Sequence, residues 1–311
     1  MLLYCVCLYF IKNYGKIQQF SVDFAQKIRG KISENGEREF EGLTGIPLCS
    51  RVKTGTKKNT LERKKTKRRE ESMKTGFIGL GIMGRPMAKN LLKAGVDLIV
   101  TDLNKEAVKD VVAAGAQEGT YEEIGKECGV VFIMVPSGDI TKSILFGEGG
   151  VASFIKEGSI VCDMSSVTPV ESKECYERLK EIGVGFVDAP VSGGETGGIN
   201  GTLAIMAGGD QKDFDALKTY FDIMGSSALL IGGPGSGSVT KLANQIIVNN
   251  TIAVVSEAFV MAAKAGADPV KVYEAIRGGL AGSAVLDSKI PMIVERNFKP
   301  GGPIRINHKD I

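Results

Sequence analysis

The chain has 311 residues, enough for two domains with a sizeable core. Its net charge of +3 is unevenly distributed. Residues 1–72 carry 16 Lys and Arg against 8 Asp and Glu, whereas the remainder carries 23 Lys and Arg against 28 Asp and Glu. Because the remainder is mildly acidic, it argues against a nucleic-acid-binding protein. The single histidine, His308, nearly excludes Ser-His, Cys-His and His-ligated metal mechanisms and leaves proton transfer to Lys, Tyr, Asp, Glu or Cys.

Residues 1–72 differ in composition from everything that follows. The apolar stretch Met1–Ile11 is shorter than the roughly 20 residues that span a bilayer, and it lacks a signal-peptide cleavage site. The basic run 63–69 is typical of a nuclear or nucleic-acid-binding tail. The Lys-, Arg- and Glu-rich stretch before Met73 is also what a translated ribosome-binding site would encode, since these residues have purine-rich codons. We therefore expect residues 1–72 to be a disordered leader or a translation-start artefact.

Three spaced glycines follow the first predicted strand, Thr75–Gly79, and open a predicted helix over Met83–Ala94. In such a loop Gly79 permits a tight turn, Gly81 lets the backbone approach a pyrophosphate, and Gly84 lets the helix pack closely on the strand. The free N–H groups at the helix start can bind the pyrophosphate. The loop therefore predicts dinucleotide binding by Gly79, Leu80, Gly81, Ile82, Met83 and Gly84.

The second predicted strand, Leu98–Thr101, ends at Asp102, which lies 18 residues beyond Gly84. A carboxylate at about this spacing accepts a hydrogen bond from the ribose 2′-hydroxyl of NAD and repels the 2′-phosphate of NADP. We therefore predict NAD or NADP as the cofactor, with NAD favoured, although Lys105 can still reach towards a phosphate.

The chain then continues to alternate between apolar strands and helices. Further strands are predicted at Val130–Val135, Ser159–Asp163 and Gly185–Asp188, with a hairpin-like pair at Gly201–Gly208 and Ala228–Gly232. The helices between them are predicted at Lys105–Ala114, Ile140–Phe146 and Pro169–Ile182. This alternation predicts an α/β fold with a Rossmann-type doubly wound parallel sheet. Ligands bind at the carboxyl ends of such strands, where Val135, Pro136, Ser165 and Ser166 are expected.

The turn after the strand ending at Asp188 contains Ser192, Gly193 and Gly194. A Ser-Gly-Gly turn can present consecutive N–H groups as an anion nest, and the Ser192 hydroxyl can add a further hydrogen bond to a substrate carboxylate. An ordinary strand-to-loop turn is the alternative interpretation.

A stretch without helix breakers, Ser238–Ala265, predicts a long helix that joins two domains, followed by a shorter helix over Pro269–Arg277 and a polar tail. Lys241 lies in its first predicted turn, where the helix dipole disfavours a cation. The dipole and the charge of a nicotinamide ring both lower a lysine pKa, as proton transfer near neutral pH requires. Asn244 and Gln245 share this helix face and can bond a substrate hydroxyl. A solvated lysine after a glycine loop is the alternative.

Together these segments resemble the β-hydroxyacid dehydrogenase family, over Met73–Ile311. The matching motifs are GFIGLGIMGRPMAKNLLKAG, DMSS, DAPVSGGE and GSVTKLANQ, in the family's order. Glu195 and the run AIRGGLAGS at 275–283 are similar to the branch that reduces tartronate semialdehyde (2-hydroxy-3-oxopropanoate). The resemblance implies hydride transfer between NAD(P)H and the aldehyde of a short 3-oxo acid, with D-glycerate or a similar 3-hydroxy acid as product.

The resemblance also implies roles for individual residues. Lys241 is the catalytic proton donor. The carboxylate-binding turn is formed by Ser192, Gly193 and Gly194, and the other substrate contacts by Ser165, Asn244, Gln245 and Asp310. The dinucleotide contacts are Gly79, Gly81, Gly84, Val135, Pro136, Ser166 and Lys309, the last paired with Asp310. Many members have an asparagine where Gln245 stands, so which amide contacts substrate stays open.

The expected organisation is a leader at 1–72, an NAD(P)-binding Rossmann-type domain at 73–236 and the start of a helical C-terminal domain at 237–311. The family continues with further helices that cover the long helix, so we expect a truncated chain whose apolar faces at 246–262 are exposed, with aggregation or weak activity as the result. We expect a complete chain to form a homo-oligomer.

The six cysteines show no metal-type spacing beyond Cys5-x-Cys7 and indicate a reduced, cytoplasmic protein without a metal site. We expect a small carboxylate-bearing aldehyde or 3-hydroxy acid as substrate, and neither nucleic acid nor membrane as partner. Three alternatives stay open: a non-enzymatic nucleotide-binding or chromatin-associated relative, a 3-hydroxyisobutyrate dehydrogenase, and a 6-phosphogluconate-type dehydrogenase, for which no sugar-phosphate clamp is evident.

Overall fold

The computed structural model describes residues 74–297. The leader at 1–72, the proposed start at Met73, and the late pair Lys309 and Asp310 lie outside the described residues. The predictions made for them therefore stay predictions.

Within the described range, one sheet of nine strands forms the centre of the fold. The strands are β1 (Lys74–Ile78), β2 (Leu98–Thr101), β3 (Gln117–Glu118), β4 (Cys128–Ile133), β5 (Ile160–Asp163), β6 (Gly185–Asp188), β7 (Val191–Ser192), β8 (Leu203–Gly209) and β9 (Gly225–Gly232). The first six are parallel and lie in the spatial order β3-β2-β1-β4-β5-β6. This is the strand order of a doubly wound dinucleotide-binding sheet, and it confirms the predicted fold class.

Ten α-helices are found among the described residues. They are α1 (Gly84–Lys93), α2 (Lys105–Val112), α3 (Tyr121–Glu127), α4 (Gly138–Phe146), α5 (Pro169–Lys180), α6 (Gly194–Asn200), α7 (Gln211–Met224), α8 (Ser236–Lys264), α9 (Pro269–Ile276) and α10 (Ala284–Val294). Local capping explains several helix starts: Thr120 and Thr168 each form a reciprocal capping box with a glutamate three residues on, Glu123 and Glu171.

Apolar side chains on the two faces of the sheet build two separate cores. Phe77 belongs to one core and its neighbour Ile78 to the other, because successive side chains of a strand point to opposite faces. Helices cover both faces, so the parallel strands other than the edge strand β3 are almost entirely buried. The sheet is therefore a rigid platform, and its loops carry the candidate site.

The predicted hairpin-like pairing of β8 with β9 is wrong. These strands are parallel, with Ile205 opposite Ala228, and β8 is instead antiparallel to β6 and β7. The cause is α7, which is absent from the predicted helices: it crosses over the sheet and buries Phe214 and Leu217. A helical crossover returns the chain in the same direction, whereas a hairpin requires a short turn.

The predicted polar tail after residue 277 is also wrong in its first part, because α10 is helical. Ser283 caps this helix through a hydrogen bond from the N–H of Leu286. Leu286 and Ile290, four residues apart, form an apolar stripe that packs with Val255 and Phe259 of α8. The stripe therefore secures α10 against the long helix.

The middle and far part of α8 expose apolar side chains, as predicted for 246–262. Ile246, Ile247, Val254, Val260 and Met261 are all more than half exposed. Within the described residues, α8 is the one helix long and apolar enough to cross a bilayer, a criterion of length and composition that core helices of soluble proteins also meet. The expectation that no membrane is involved stays a prediction.

Candidate active site

The predicted site residues lie on loops that leave one edge of the sheet. Backbone hydrogen bonds connect successive strand ends there: Gly79 N to Thr101 O at 3.1 Å, Met134 N to Ile78 O at 2.9 Å, Met164 N to Ile133 O at 2.8 Å, and Ala189 N to Asp163 O at 2.7 Å. The loops after β2, β1, β4, β5 and β6 are therefore neighbours in that order. This is the carboxyl-end edge at which open α/β sheets bind ligands.

The glycine loop has the geometry of a dinucleotide-binding turn. Gly79 has a φ of 95°, and a β-carbon there would overlap the carbonyl oxygen of Met134. A β-carbon at Gly84, the first residue of α1, would overlap the carbonyl oxygen of Gly79. Gly81 differs, because no atom lies within 4 Å of a β-carbon placed there. Two glycines thus serve packing and the third leaves open space, which fits a loop that a pyrophosphate approaches.

The rest of this loop combines anchoring and exposed residues. Leu80 is fully buried in the core, whereas Ile82 is 41% exposed and Met83 is half-buried. Leu80 therefore fixes the loop on the sheet. Ile82 and Met83 present their backbone at the start of α1, as their predicted cofactor role requires.

Asp102 lies beside the glycine loop. Its Oδ2 accepts a hydrogen bond from the N–H of Leu80 at 2.5 Å, and its Oδ1 accepts one from the N–H of Asn104 at 2.7 Å. The side chain is half-buried, so the carboxylate sits at the edge of the space next to Gly81. Lys105, the residue expected to reach towards a phosphate, forms an exposed ion pair with Glu118 at 2.8 Å. The local charges are consistent with the preference for NAD.

The loops after β4 and β5 are tied together by Ser165. Its hydroxyl accepts a hydrogen bond from the N–H of Val135 at 2.9 Å, and its own N–H donates to Asp163 Oδ1 at 2.9 Å. Ser165 is only 1% exposed, whereas Val135 and Ser166 are half-buried and Pro136 is exposed. The structure thus gives the Ser165 hydroxyl a role in joining two loops. Its contact with substrate stays a prediction.

The predicted carboxylate-binding turn follows β7. Gly193 has a φ of 137° and Gly194 a φ of 64°, conformations that residues with a side chain rarely adopt. Both glycines are exposed and Ser192 is half-buried. The helix that follows, α6, is fixed to α1 by a 2.8 Å hydrogen bond from Asn90 Nδ2 to Gly198 O. The turn is therefore held close to the helix that the glycine loop begins.

Lys241 reaches this turn from α8. Its Nζ donates a hydrogen bond of 2.8 Å to the main-chain oxygen of Val191, the residue before Ser192. The structure thus brings together the amine and the turn that the sequence predicted separately. One expectation is corrected: α8 begins at Ser236, so Lys241 lies in its second turn. The helix dipole acts mainly within the first turn, so its effect on the lysine is weaker than we expected.

The two amides beyond Lys241 are bonded to each other. Asn244 Nδ2 donates to Gln245 Oε1 at 3.1 Å, and both side chains are half-buried. They lie one turn further along α8 than the lysine. Which of them contacts substrate stays open.

Asp188 is a functional candidate to which the sequence interpretation gave no role. It ends β6 and is fully buried, with Oδ1 accepting from the N–H of Gly235 and Oδ2 from the N–H of Ser238, both at 2.8 Å. Burial raises the pKa of Asp188 to about 6, and the hydrogen bonds from Gly235 and Ser238 partly offset that rise. The sequence does contain one sign of such a role, because Asp188 is a carboxylate at the end of a strand whose other residues carry no polar side chain.

Two known protein families match consecutive parts of the chain. Residues 74–233 match the family described as the NAD binding domain of 6-phosphogluconate dehydrogenase. Residues 235–311 match the one described as NAD-binding of NADP-dependent 3-hydroxyisobutyrate dehydrogenase.

Curated relatives and solved structures are similar over most of the chain. The 2-hydroxy-3-oxopropionate reductase of Escherichia coli (strain K12) is 43% identical, over 77% of this chain and 82% of that protein. The 2-(hydroxymethyl)glutarate dehydrogenase of Eubacterium barkeri is 35% identical, over 78% of this chain and 81% of that protein. The crystal structure of 3-hydroxyisobutyrate dehydrogenase from Salmonella typhimurium is 28% identical, with a TM-score of 0.70 over 77% of this chain and 84% of that one.

Proposed function

The chain belongs to the β-hydroxyacid dehydrogenase family, and from this premise we propose that it reduces tartronate semialdehyde (2-hydroxy-3-oxopropanoate) to D-glycerate. Membership makes it an NAD(P)-dependent oxidoreductase that acts on CH–OH groups. The choice of substrate rests on the similarity to the reductase of Escherichia coli and on the chemistry of the candidate site. We further propose NADH as the preferred form of the cofactor, because Asp102 lies beside the glycine loop.

The observation that carries the proposal is the contact between Lys241 and Val191. An amine 2.8 Å from the main chain of the residue before Ser192 lies next to a turn with two exposed glycines. Proton donation to a carbonyl oxygen requires a donor within hydrogen-bonding reach of the reacting group. A substrate whose carboxylate occupies the turn would place its aldehyde close to this amine, since the two groups are joined by only one carbon.

Each group in the proposed site has its own role in the reaction. The glycine loop and Asp102 would hold the nicotinamide cofactor, which would supply the hydride for the aldehyde carbon. The Ser192 hydroxyl and the N–H groups of Gly193 and Gly194 bind the substrate carboxylate. The Lys241 ammonium donates its proton to the aldehyde oxygen, so that hydride and proton together convert the aldehyde into the alcohol. In the reverse direction the neutral amine accepts the proton.

Two further groups complete the proposed site. Asn244 and Gln245 can bond the 2-hydroxyl of the substrate, because their amides lie one helical turn from the lysine. The glycine loop and Asp102 hold the cofactor. A site with donors for a hydroxyl discriminates strongly against substrates that lack one, because its polar groups would then be left unpaired.

The test compares Lys241→Ala with the parent in the full chain, by NADH oxidation with tartronate semialdehyde. The substitution should lower kcat by about a hundredfold to ten-thousandfold, the usual contribution of a general acid, and leave the NADH dissociation constant unchanged. Lys264→Ala is the matched control, since Lys264 is an exposed lysine at the far end of the same helix. Turnover by Lys241→Ala at the parental rate would contradict the mechanism.

A substrate panel tests the finer assignment. Tartronate semialdehyde should give a higher kcat/KM than the semialdehydes that correspond to 3-hydroxyisobutyrate and to 2-(hydroxymethyl)glutarate. A difference of one methylene is worth only about 1–3 kcal/mol in such a pocket, so the 2-hydroxyl should provide most of the discrimination. A higher kcat/KM for either alternative would contradict the proposed substrate while leaving the family assignment intact.

A further inference from the structure

The start of α8 is fixed to the end of β6 by a buried carboxylate. Asp188 accepts hydrogen bonds from the N–H groups of Gly235 and Ser238, both 2.8 Å long, and the Asp188 side chain is fully buried. The first N–H groups of a helix have no partner within the helix, so an external acceptor is required when the helix start is buried. Asp188 provides this acceptor from a different element of the fold.

Close packing removes the remaining freedom at this contact. A β-carbon at Gly237 would overlap the carbonyl oxygen of Met206, and one at Gly208 would lie 2.7 Å from the nitrogen of Gly237. Ser238 is fully buried as well, and its hydroxyl lies 2.9 Å from that of Ser172 on α5. The first turn of α8 thus sits directly on the sheet, without space for the helix to shift.

The same two segments meet again at the proposed catalytic amine. Val191, whose oxygen accepts from Lys241 Nζ, lies three residues after Asp188, and Lys241 lies three residues after Ser238. One contact fixes the helix start and the other engages the amine, less than one helical turn further on. A shift of the helix start would therefore move the amine relative to the turn at Ser192.

We propose that Asp188 is a positioning residue, which holds the first turn of α8 on the end of β6 and thereby keeps the Lys241 amine against the Val191 carbonyl. This inference rests on the function proposed above for Lys241. A carboxylate suits the task because both of its oxygens accept hydrogen bonds. An asparagine has only one such oxygen, and its NH2 group would face a second donor, the N–H of Gly235 or Ser238.

Asp188→Asn tests the proposal in the full chain. We expect kcat with tartronate semialdehyde to fall by about tenfold to a hundredfold, as a displacement on the order of 1 Å at a reacting group produces, while the NADH dissociation constant stays at the parental value. The matched control is Asp213→Asn. Asp213 is also buried, and its carboxylate lies beside Gly185, at the opposite end of β6. This control should keep the parental kcat; an equal loss in both variants would overturn the proposal.

A second measurement does not depend on turnover. Limited acetylation followed by mass spectrometry gives the reactivity of Lys241 relative to that of Lys264 in the same molecule. In Asp188→Asn the ratio should rise several-fold, because the amine loses its fixed contact with Val191. If Lys241→Ala proves fully active while this ratio rises, the proposed mechanism fails and the positioning role stands. An unchanged ratio overturns the positioning role.

Asp188→Glu keeps the proposal testable should the asparagine variant not fold. It retains two acceptor oxygens but is longer by one methylene, and Gly208 and Gly237 leave no room for the added length. The variant should therefore fold with its helix start displaced, with a reduced kcat and a raised Lys241 reactivity. Parental values for both in a folded Asp188→Glu protein would also overturn the proposal.

Discussion

Gly81→Ala and Gly84→Ala should separate cofactor binding from folding. A methyl group at Gly81 meets no atom within 4 Å, and the backbone there is not in the left-handed region. The same group at Gly84 overlaps the carbonyl oxygen of Gly79. The two substitutions are chemically identical and lie three residues apart in one loop. Any difference between them therefore comes from their surroundings.

The structure gives the expected magnitudes. Gly81→Ala should leave the free energy of unfolding unchanged or raise it by about 0.4–1 kcal/mol, because alanine restricts the unfolded chain. It should weaken NADH binding by about 1–3 kcal/mol, roughly fivefold to 150-fold, because the methyl group occupies the space a pyrophosphate approaches. Gly84→Ala should cost about 1–3 kcal/mol of folding free energy, which lowers Tm by about 2–4 °C for each kcal/mol.

Two assays on the cofactor-free protein check this prediction. Thermal unfolding gives the stability of each variant, and titration of NADH fluorescence gives its dissociation constant. Normal NADH binding by Gly81→Ala would refute the assignment of the open space to the pyrophosphate. An unchanged Tm for Gly84→Ala would refute the packing argument instead.

Two further predictions concern carboxylates. Asp102→Asn should lower the ratio of kcat/KM for NADH to that for NADPH by about tenfold or more, because it removes both a charged acceptor for the ribose hydroxyl and a repulsion of the 2′-phosphate; an unchanged ratio would place cofactor selection elsewhere. The pKa of Asp188 rises from 3.8 to about 6 on folding, so the native state binds a proton on this carboxyl group more tightly than the unfolded state does. The protonated group therefore stabilises the folded protein below pH 4, and this stabilisation is lost as the pH rises to 6. Urea unfolding between pH 4 and pH 7 should show the free energy of unfolding of the parent decrease by about 2–3 kcal/mol relative to that of Asp188→Asn, and a constant difference between the two proteins would contradict it.

The parts of the fold that the sequence predicted correctly depend on local patterns. The glycine loop, the strand before it and the position of Asp102 are all contained in the segment 74–102. Such short-range patterns determine the strand and the helix start directly. The doubly wound class of the sheet then follows from the fold type that the loop indicates, whereas the short edge strand β3 was not predicted.

The parts that were missed depend on contacts distant in the chain. The direction of β9 is set by the α7 crossover, and α10 is stabilised by packing on α8. The hydrogen bonds of Asp188 join residues 47 and 50 positions apart. A pattern within a short segment of the sequence cannot reveal a contact between residues so far apart in the chain. The role of Asp188 could therefore be recognised only once β6 and α8 had been placed together.

The anchor of the Lys241 amine is a main-chain oxygen, that of Val191. A peptide carbonyl is present whatever side chain the residue carries. Mutational drift at position 191 can thus exchange one buried apolar side chain for another while the amine keeps its partner, provided that the strand persists. The packing of the core, and not the contact with the proposed proton donor, therefore limits which residues this position accepts.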